Sequence, residues 1–160
     1  MKFKPVPPAP DEFEFVERAQ RAVPLVPDTE ADCCARLVGR LDLSARDDAR
    51  TWLTFLRALE LVTETPSGFR RTETTPTVPD CRAALLGRVV AAEAVHDTLG
   101  SEPLTADEAF EAVREQVPTW ERHSDPSWEA AWRERVAALL DWFVLLDTAE
   151  RVGDGRFRSR

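Results

Sequence analysis

Residues 56–72 read LRALELVTETPSGFRRT, and this stretch predicts the fold more directly than any other part of the chain. Its first residues continue the apolar spacing of an amphipathic helix that begins at about residue 44. Two short β-forming runs follow at 61–64 and 69–72, and Thr65-Pro66-Ser67-Gly68 separates them as a turn. The stretch therefore predicts a helix that leads directly into a β-hairpin.

Two further helices are predicted before this stretch. The first covers residues 11–23 and ends at Pro24, and the second covers residues 28–41 with Asp28 or Thr29 as its N-cap. Ser44 is the predicted N-cap of the third helix. The preceding residues 1–10 (MKFKPVPPAP) hold four prolines, which predicts an extended tail outside the core. This tail is either a recruiting segment for a partner or a simple chain terminus.

The second half of the chain repeats this order after a predicted linker at 73–79. One long helix is predicted at 80–99, with Gly100 as a left-handed C-cap, and a capping box at 105–108 opens the next helix. A third helix at about 127–146 leads into a second hairpin around 153–155. The repeat pairs Leu56, Leu59, Leu61 and Val62 with Leu140, Phe143, Leu145 and Leu146.

A long amphipathic helix, Leu-Glu-Leu-Val at 59–62, a short turn and Gly-Phe-Arg-Arg at 68–71 resemble the recognition helix and wing of winged helix-turn-helix domains. The resemblance covers residues 11–72 and, more loosely, 80–159. It implies a mainly α fold with small β-hairpins (α+β), built from two tandem winged-helix units at 11–72 and 80–160. The second copy departs from the pattern in its long segment at 118–126 and its extended first helix.

The charge composition is acidic and poor in lysine. The chain has 29 Asp+Glu and 21 Lys+Arg, for a net charge of -8, and Lys2 and Lys4 are its only lysines. This resembles proteins of extremely halophilic archaea, whose carboxylates hold water in concentrated salt, although a GC-rich bacterium also favours arginine. Residues 1–78 carry 11 basic and 13 acidic side chains, against 10 and 16 in residues 79–160. The first half is therefore the better candidate for contact with nucleic acid.

Winged-helix domains usually place the third helix in the major groove and the wing on the DNA backbone. The resemblance therefore implies candidate contacts on the third helix and on the wing. At about 100° per residue, the three helix arginines fall within roughly 40° of each other. The alternative is a solvated or protein-facing stripe, paired with Asp47, Asp48 and Glu60. The candidates are Arg46, Arg50, Thr54 and Arg57 on the helix, Arg70 and Arg71 on the first wing, and Arg156 and Arg158 on the second.

Other residue types point to interfaces rather than chemistry. Trp142 is either an exposed anchor of a protein interface or a residue buried between the two copies. The cysteines Cys33, Cys34 and Cys81 lack zinc-site spacing, and no glycine-rich phosphate loop is present. We therefore expect no metal, no cofactor, no small-molecule substrate and no enzymatic activity.

The sequence as a whole favours a non-catalytic DNA-binding or transcription-associated protein. No signal peptide or membrane-spanning run is present, so we expect a cytoplasmic protein with double-stranded DNA as its partner. In this interpretation the second copy packs against the first or dimerises. The alternative is an assembly adaptor that binds a protein partner or a second copy of itself, by analogy with segregation-and-condensation B proteins and ESCRT-II subunits.

Overall fold

The N-terminal half folds as three helices followed by an antiparallel hairpin. The computed structural model describes residues 2–160. Thr29 caps the second helix, because its hydroxyl accepts a hydrogen bond from the Asp32 amide at 3.1 Å. Ser44 does not cap the third helix as predicted; its hydroxyl binds Asp48 at 3.2 Å and Ala45 takes the N-cap position. The elements are α1 (Glu14–Ala22), α2 (Glu30–Leu41), α3 (Arg46–Ala58), β1 (Val62–Thr65) and β2 (Gly68–Arg71).

The hairpin is held to the helices by a short third strand contact. Asp28 pairs with Phe69, with hydrogen bonds of 3.0 and 2.7 Å between their backbone groups. Gly68 sits beside this contact at φ 129°, and a Cβ on it would lie 2.2 Å from the Asp28 carbonyl oxygen. Only glycine allows this approach, so the predicted Pro/Gly turn also fixes how the hairpin packs against the start of α2.

The C-terminal half has the same order of elements with additions. Thr105 and Glu108 form the predicted capping box at the start of the second helix of the repeat. The sheet has three strands, in the order β3-β5-β4, because the two-residue strand β3 joins the predicted hairpin. The elements are α4 (Val78–Arg88), α5 (Ala92–Asp97), β3 (Leu104–Thr105), α6 (Ala106–Val113), α7 (Thr119–Ser124), α8 (Trp128–Leu145), β4 (Ala149–Arg151) and β5 (Arg156–Ser159).

The single helix predicted at 80–99 is wrong, because the chain breaks between α4 and α5. Val89 is extended and Ala91 is left-handed, with φ 70°. Phe3 takes the place of a helical turn there, since its amide donates to the Arg88 carbonyl and its carbonyl accepts from the Val90 amide, at 2.7 and 2.8 Å. Gly100 is not left-handed either, because α5 already ends at Asp97. Helix α4 also begins two residues before the predicted start, so the segment that links it to the first hairpin is shorter than expected.

The proline-rich N-terminal residues are part of the core rather than a tail. We call residues 2–8 the N-terminal strap. Phe3 and Pro7 are buried, and the Pro7 carbonyl accepts a hydrogen bond from the Trp142 indole at 2.8 Å. The Lys4 carbonyl accepts from Arg135 at 3.0 Å. The strap therefore contacts α8 along its length and fills the break after α4.

The two halves repeat each other in a different register from the predicted one. Glu60 and Asp147 are both left-handed, with φ 64° and 59°, and each follows the end of a third helix. The Leu61 amide donates to Leu56, and the Thr148 amide donates to Phe143, both at 2.9 Å. Leu56 thus corresponds to Phe143, not to Leu140. Leucines recur at each helical turn, so a pattern matched one turn away fits nearly as well.

An aromatic cluster joins α3 to α8. Trp142 is fully buried, and its ring lies 4.6 Å from Phe55 and 5.8 Å from Trp52, centroid to centroid. We call these three residues the aromatic joint. The prediction of Trp142 as an exposed interface anchor is therefore wrong, and the alternative, burial between the two halves, is confirmed. This packing buries one face of α3, so only the remaining face of the helix is exposed to a partner.

Candidate nucleic-acid interface

The exposed face of α3 is the arc that neither the N-terminal core nor the aromatic joint covers. It includes Arg46 and Arg50, which are exposed, and Thr54, which is partly exposed, but not Arg57, which helical spacing predicts on the same stripe. Arg46 is exposed in the first turn and forms no ion pair with any residue from 2 to 160. The N-terminal residues of a recognition helix usually reach base edges, so this end of α3 is the candidate part for contact with DNA.

Arg50 is exposed but held by two carboxylates. Its Nε lies 3.1 Å from Glu30 at the start of α2, and its Nη1 lies 3.4 Å from Asp47 one turn earlier on α3. The expected pairing with Asp47 is therefore present, while Glu30 was not anticipated. The sequence carries no local signal for Glu30, because the contact depends on the packing of α2 against α3.

Arg57 is largely covered by neighbouring side chains and has mainly a structural role. Its guanidinium lies 5.3 Å from the ring of Phe3 and 5.7 Å from the ring of Phe69, and it pairs with Glu64 on β1 at 3.2 Å. Only 25 % of its side chain is exposed. Arg57 thus fixes the hairpin and the N-terminal strap to α3, and it is not available in the way that Arg46 is.

The two arginines of the first hairpin point to different surroundings. Phe69 and Glu64 are directly paired and share the face toward Arg57, so Arg70 lies on the opposite, outer face beside Thr63. Arg71 donates to the Arg21 carbonyl in the last turn of α1 at 3.4 Å, which stabilises that helix end. Arg70 is therefore the arginine of the hairpin with the outward orientation that phosphate contact requires.

Most arginines of the second hairpin and α8 pair with carboxylates, and Arg135, which donates to the Lys4 carbonyl, is the exception on α8. The predicted contacts Arg156 and Arg158 pair with Glu108 and Glu150. On α8, Arg133 lies 2.8 Å from Asp107 and 3.2 Å from Glu111. The pKa of Glu111 lies below its ordinary value because Arg114 donates a hydrogen bond to it, with Arg133 adding to the effect. Arg151 and Arg160 complete the set, paired with Asp141 and Asp147.

A buried polar cluster that the sequence did not reveal joins the strap to the C-terminal half. The Glu121 carboxylate accepts hydrogen bonds from Lys4 and from the Trp132 indole, both at 2.7 Å. Burial raises the pKa of Glu121, but these hydrogen bonds and the charges of Lys4 and Arg135 outweigh it, so the pKa lies below its ordinary value. The carboxylate is thus held ionised as an anchor for the strap.

The cysteines are packing residues in this structure. Cys33, Cys34 and Cys81 are free and buried. Burial raises the pKa of Cys33 to about 11 and that of Cys81 to about 12, so both side chains are neutral thiols at neutral pH. A neutral thiol is neither a good nucleophile nor a metal ligand.

Three large apolar side chains are exposed that were not predicted as functional residues. Leu25 and Val26 are 56 % and 75 % exposed, in the loop between Pro24 and Pro27. Trp120 on α7 is 66 % exposed, and the Lys4 ammonium lies 5.9 Å from its ring centroid. The signal for the loop was available in the sequence, because an apolar pair between two prolines has no helical or strand periodicity that would bury it.

Comparison with known protein families shows which family the chain belongs to. The family model described as the halobacterial double winged helix domain matches residues 1–160. The chain is a member of this family. The fold predicted from the sequence, helices with small hairpins in two winged-helix copies of haloarchaeal type, is thereby confirmed. A comparison with curated proteins and another with solved structures each found no match.

Membership of a double winged-helix family favours a DNA-binding or regulatory role in general terms. In this member, three of the candidate arginines described above form no ion pair within residues 2–160, namely Arg46 on α3 and Arg70 and Arg71 on the first hairpin. No helix within residues 2–160 combines the length and apolar character that a membrane crossing needs.

Proposed function

We propose that this double winged-helix protein is a non-catalytic DNA-binding regulator that contacts duplex DNA through its first unit, residues 11–72. The reading set is Arg46, Arg50 and Thr54 on α3 with Arg70 on the hairpin. The observation that carries the proposal is the contrast between the two units. On the third helix and hairpin of the first unit, Arg46 and Arg70 form no ion pair within residues 2–160 and Arg50 is the paired member of the set, whereas Arg133, Arg156 and Arg158 at the matching places of the second unit are each paired with carboxylates.

The proposed contact follows the general geometry of winged-helix recognition. The first turns of α3 enter the major groove, where the planar guanidinium of Arg46 or Arg50 binds a guanine edge or a phosphate bidentately. Arg70 contacts the backbone from the outer face of the hairpin. Arg57 and Arg71 hold the hairpin against α3 and α1, so the two contacting parts keep a fixed spacing. The second unit, residues 80–160, supports α3 through the aromatic joint, and the site of action is genomic DNA in the cytoplasm.

Fluorescence anisotropy with labelled duplexes tests this proposal. A mixed-sequence duplex library is titrated with the protein in concentrated potassium chloride, and bound sequences are then measured singly. We expect Arg46→Ala with Arg70→Ala to weaken binding by about 1–3 kcal/mol through the lost Arg46 contact to a base, and by a further amount, equal for all sequences, through the lost Arg70 contact to the backbone. Arg156→Ala with Arg158→Ala removes the same charge from the second hairpin, and we expect less than about a twofold change from it.

The comparison of the two double variants shows whether DNA binding depends on this particular site or only on the net charge of the protein. Equal weakening by both pairs would show that only the total charge matters, and the first unit would lose its assigned role. No binding of any duplex by the unaltered protein would remove the proposal altogether.

A second candidate function is an assembly adaptor, and the exposed apolar side chains favour it. Leu25 and Val26 extend together from a loop stiffened by two prolines, which suits insertion into an apolar pocket of a protein partner. In that case affinity capture recovers one stoichiometric protein, and Leu25→Ser with Val26→Ser abolishes its recovery while DNA binding is absent. Unchanged recovery of the partner by the Leu25→Ser, Val26→Ser variant, or binding of duplex DNA by the unaltered protein, would contradict the adaptor interpretation.

A further inference from the structure

Two carboxylates hold the central arginine of the proposed reading set. Glu30 comes from the first residue of α2 and Asp47 from the first turn of α3, so both reach Arg50 from the end of the helix that would face DNA. All three side chains are at least half exposed. Together we call them the Arg50 clamp.

The clamp opposes DNA in two ways. Arg50 must leave both carboxylates before it can bind a phosphate or a base edge. The carboxylates then remain on the same face, where they repel the phosphates that approach Arg46 and Arg50. Their position has a structural benefit as well, because acidic side chains near helix N-termini interact favourably with the helix dipoles of α2 and α3.

Exposed ion pairs are weak and easily screened, which makes the clamp sensitive to salt. The Debye length falls from about 10 Å at 0.1 M to about 3 Å at 1 M ionic strength. Screening at high salt weakens both the attraction between Arg50 and its carboxylates and the repulsion between those carboxylates and phosphate. Ordinary DNA-binding surfaces lose affinity under the same conditions, because they depend on counterion release.

We propose that Glu30 and Asp47 withhold Arg50 from DNA at low ionic strength and release it in concentrated salt, so that the affinity of the first unit for DNA falls less steeply with salt than it would without these two carboxylates. This inference rests on the proposed function of the same site. It concerns the regulation of the site by ionic strength and adds two residues, neither of which contacts DNA, to those that set its affinity.

The test compares two variants that change the charge equally. Glu30→Gln with Asp47→Asn opens the Arg50 clamp. Asp107→Asn with Glu111→Gln is the matched control, since it frees Arg133 on α8 from two carboxylates, while Arg114, which also binds Glu111, keeps its pairing with Glu129. Dissociation constants of both variants and of the unaltered protein are measured by anisotropy with one duplex, from about 0.2 M to about 2 M potassium chloride.

We expect the clamp variant to bind about fivefold more tightly than the unaltered protein at the low end of this range, and within about twofold at the high end. The matched control follows the unaltered protein throughout. Equal tightening in both variants, or a difference that does not shrink with salt, overturns the clamp while leaving DNA binding intact. Absence of binding by all three proteins at every salt concentration overturns the proposed function and the clamp with it.

Circular dichroism melting checks that both variants are folded. If the double substitution unfolds the protein, Glu30→Gln alone tests the shorter of the two ion pairs. The single variant is expected to show the same convergence with about half the effect on a logarithmic scale, and no convergence overturns the proposal.

Discussion

At the scale of single residues, Gly68 is the position where the fold leaves least room. Its φ of 129° excludes most side chains, and a Cβ at this position would lie only 2.2 Å from the Asp28 carbonyl oxygen. We expect Gly68→Ala to lower the free energy of unfolding by at least about 2 kcal/mol, since both backbone strain and a clash with backbone must be relieved. Gly39→Ala is the control, because nothing lies near a Cβ there and alanine favours the interior of α2 by about 1 kcal/mol. Urea unfolding measures both, and equal effects would contradict the role of the Asp28 contact.

Glu121 makes a prediction about pH at the same scale. Its folded-state pKa is lowered, so the stability it contributes is present above the unfolded-state pKa of about 4.3 and is lost as pH falls through the folded value. Glu121→Gln should therefore destabilise the protein at neutral pH by about 1–3 kcal/mol, because the Lys4 and Trp132 donors lose an ionised acceptor. The difference between the two proteins should narrow as acid is added. Urea unfolding at a series of pH values measures it, and a gap that widens in acid would show that Glu121 is not ionised in the folded state.

At the scale of elements, the sequence predicted the structural features that are determined by residues close to one another in the chain. The Pro/Gly turn and the capping box at Thr105 are local patterns, and each is found where it was expected. The break between α4 and α5 depends on Phe3, which is distant in sequence, and residues 80–99 contain no glycine or proline at the break to announce it. Strand β3 has two residues, too few to produce an alternating pattern.

In the candidate site, too, features that depend on nearby residues were predicted from the sequence, and features that depend on distant residues were not. Helical spacing alone places Arg46, Arg50 and Thr54 on one exposed arc of α3. The partners that alter the availability of the α3 arginines come from other elements, Glu30 from α2 and Phe3 from the strap. Which arginines are free and which are paired therefore could not be read from one helix, because pairing is a property of the packed molecule.

We expect the N-terminal strap to contribute strongly to the stability of the protein. Phe3 is buried, replaces helical backbone hydrogen bonds at residues 88 and 90, and lies against Arg57 and Arg88. We expect Phe3→Ala to cost about 3–5 kcal/mol of stability, the usual effect of truncating a buried phenylalanine. Lys2→Ala is the control on the same strap, since Lys2 is exposed and should change stability by less than about 0.5 kcal/mol. Amide exchange adds a local readout, and unchanged protection around Val90 in Phe3→Ala would contradict the role assigned to the strap.

At the scale of the whole molecule, the aromatic joint and the strap make the two halves depend on each other. Trp142 is buried against Trp52 and Phe55 from the other half, while its indole donates to Pro7 of the strap. The second unit thus packs against the face of α3 that lies opposite its exposed face. If α3 contacts DNA as proposed, its support by the second unit keeps its orientation fixed before binding, which reduces the entropy lost on binding.

This coupling predicts how the molecule unfolds. The unaltered protein should melt in one transition, with a calorimetric enthalpy equal to the van't Hoff enthalpy, because neither half keeps its packing when the other unfolds. Trp142→Ala should lower stability by about 3–5 kcal/mol and separate the melting of the two halves, since it removes the ring that α8 contributes to the joint. Trp120→Ala removes an exposed ring of the same size and should leave a single transition within about 0.5 kcal/mol. Two transitions in the unaltered protein would mean that the halves are independent, and support of α3 by the second unit would then have no energetic basis.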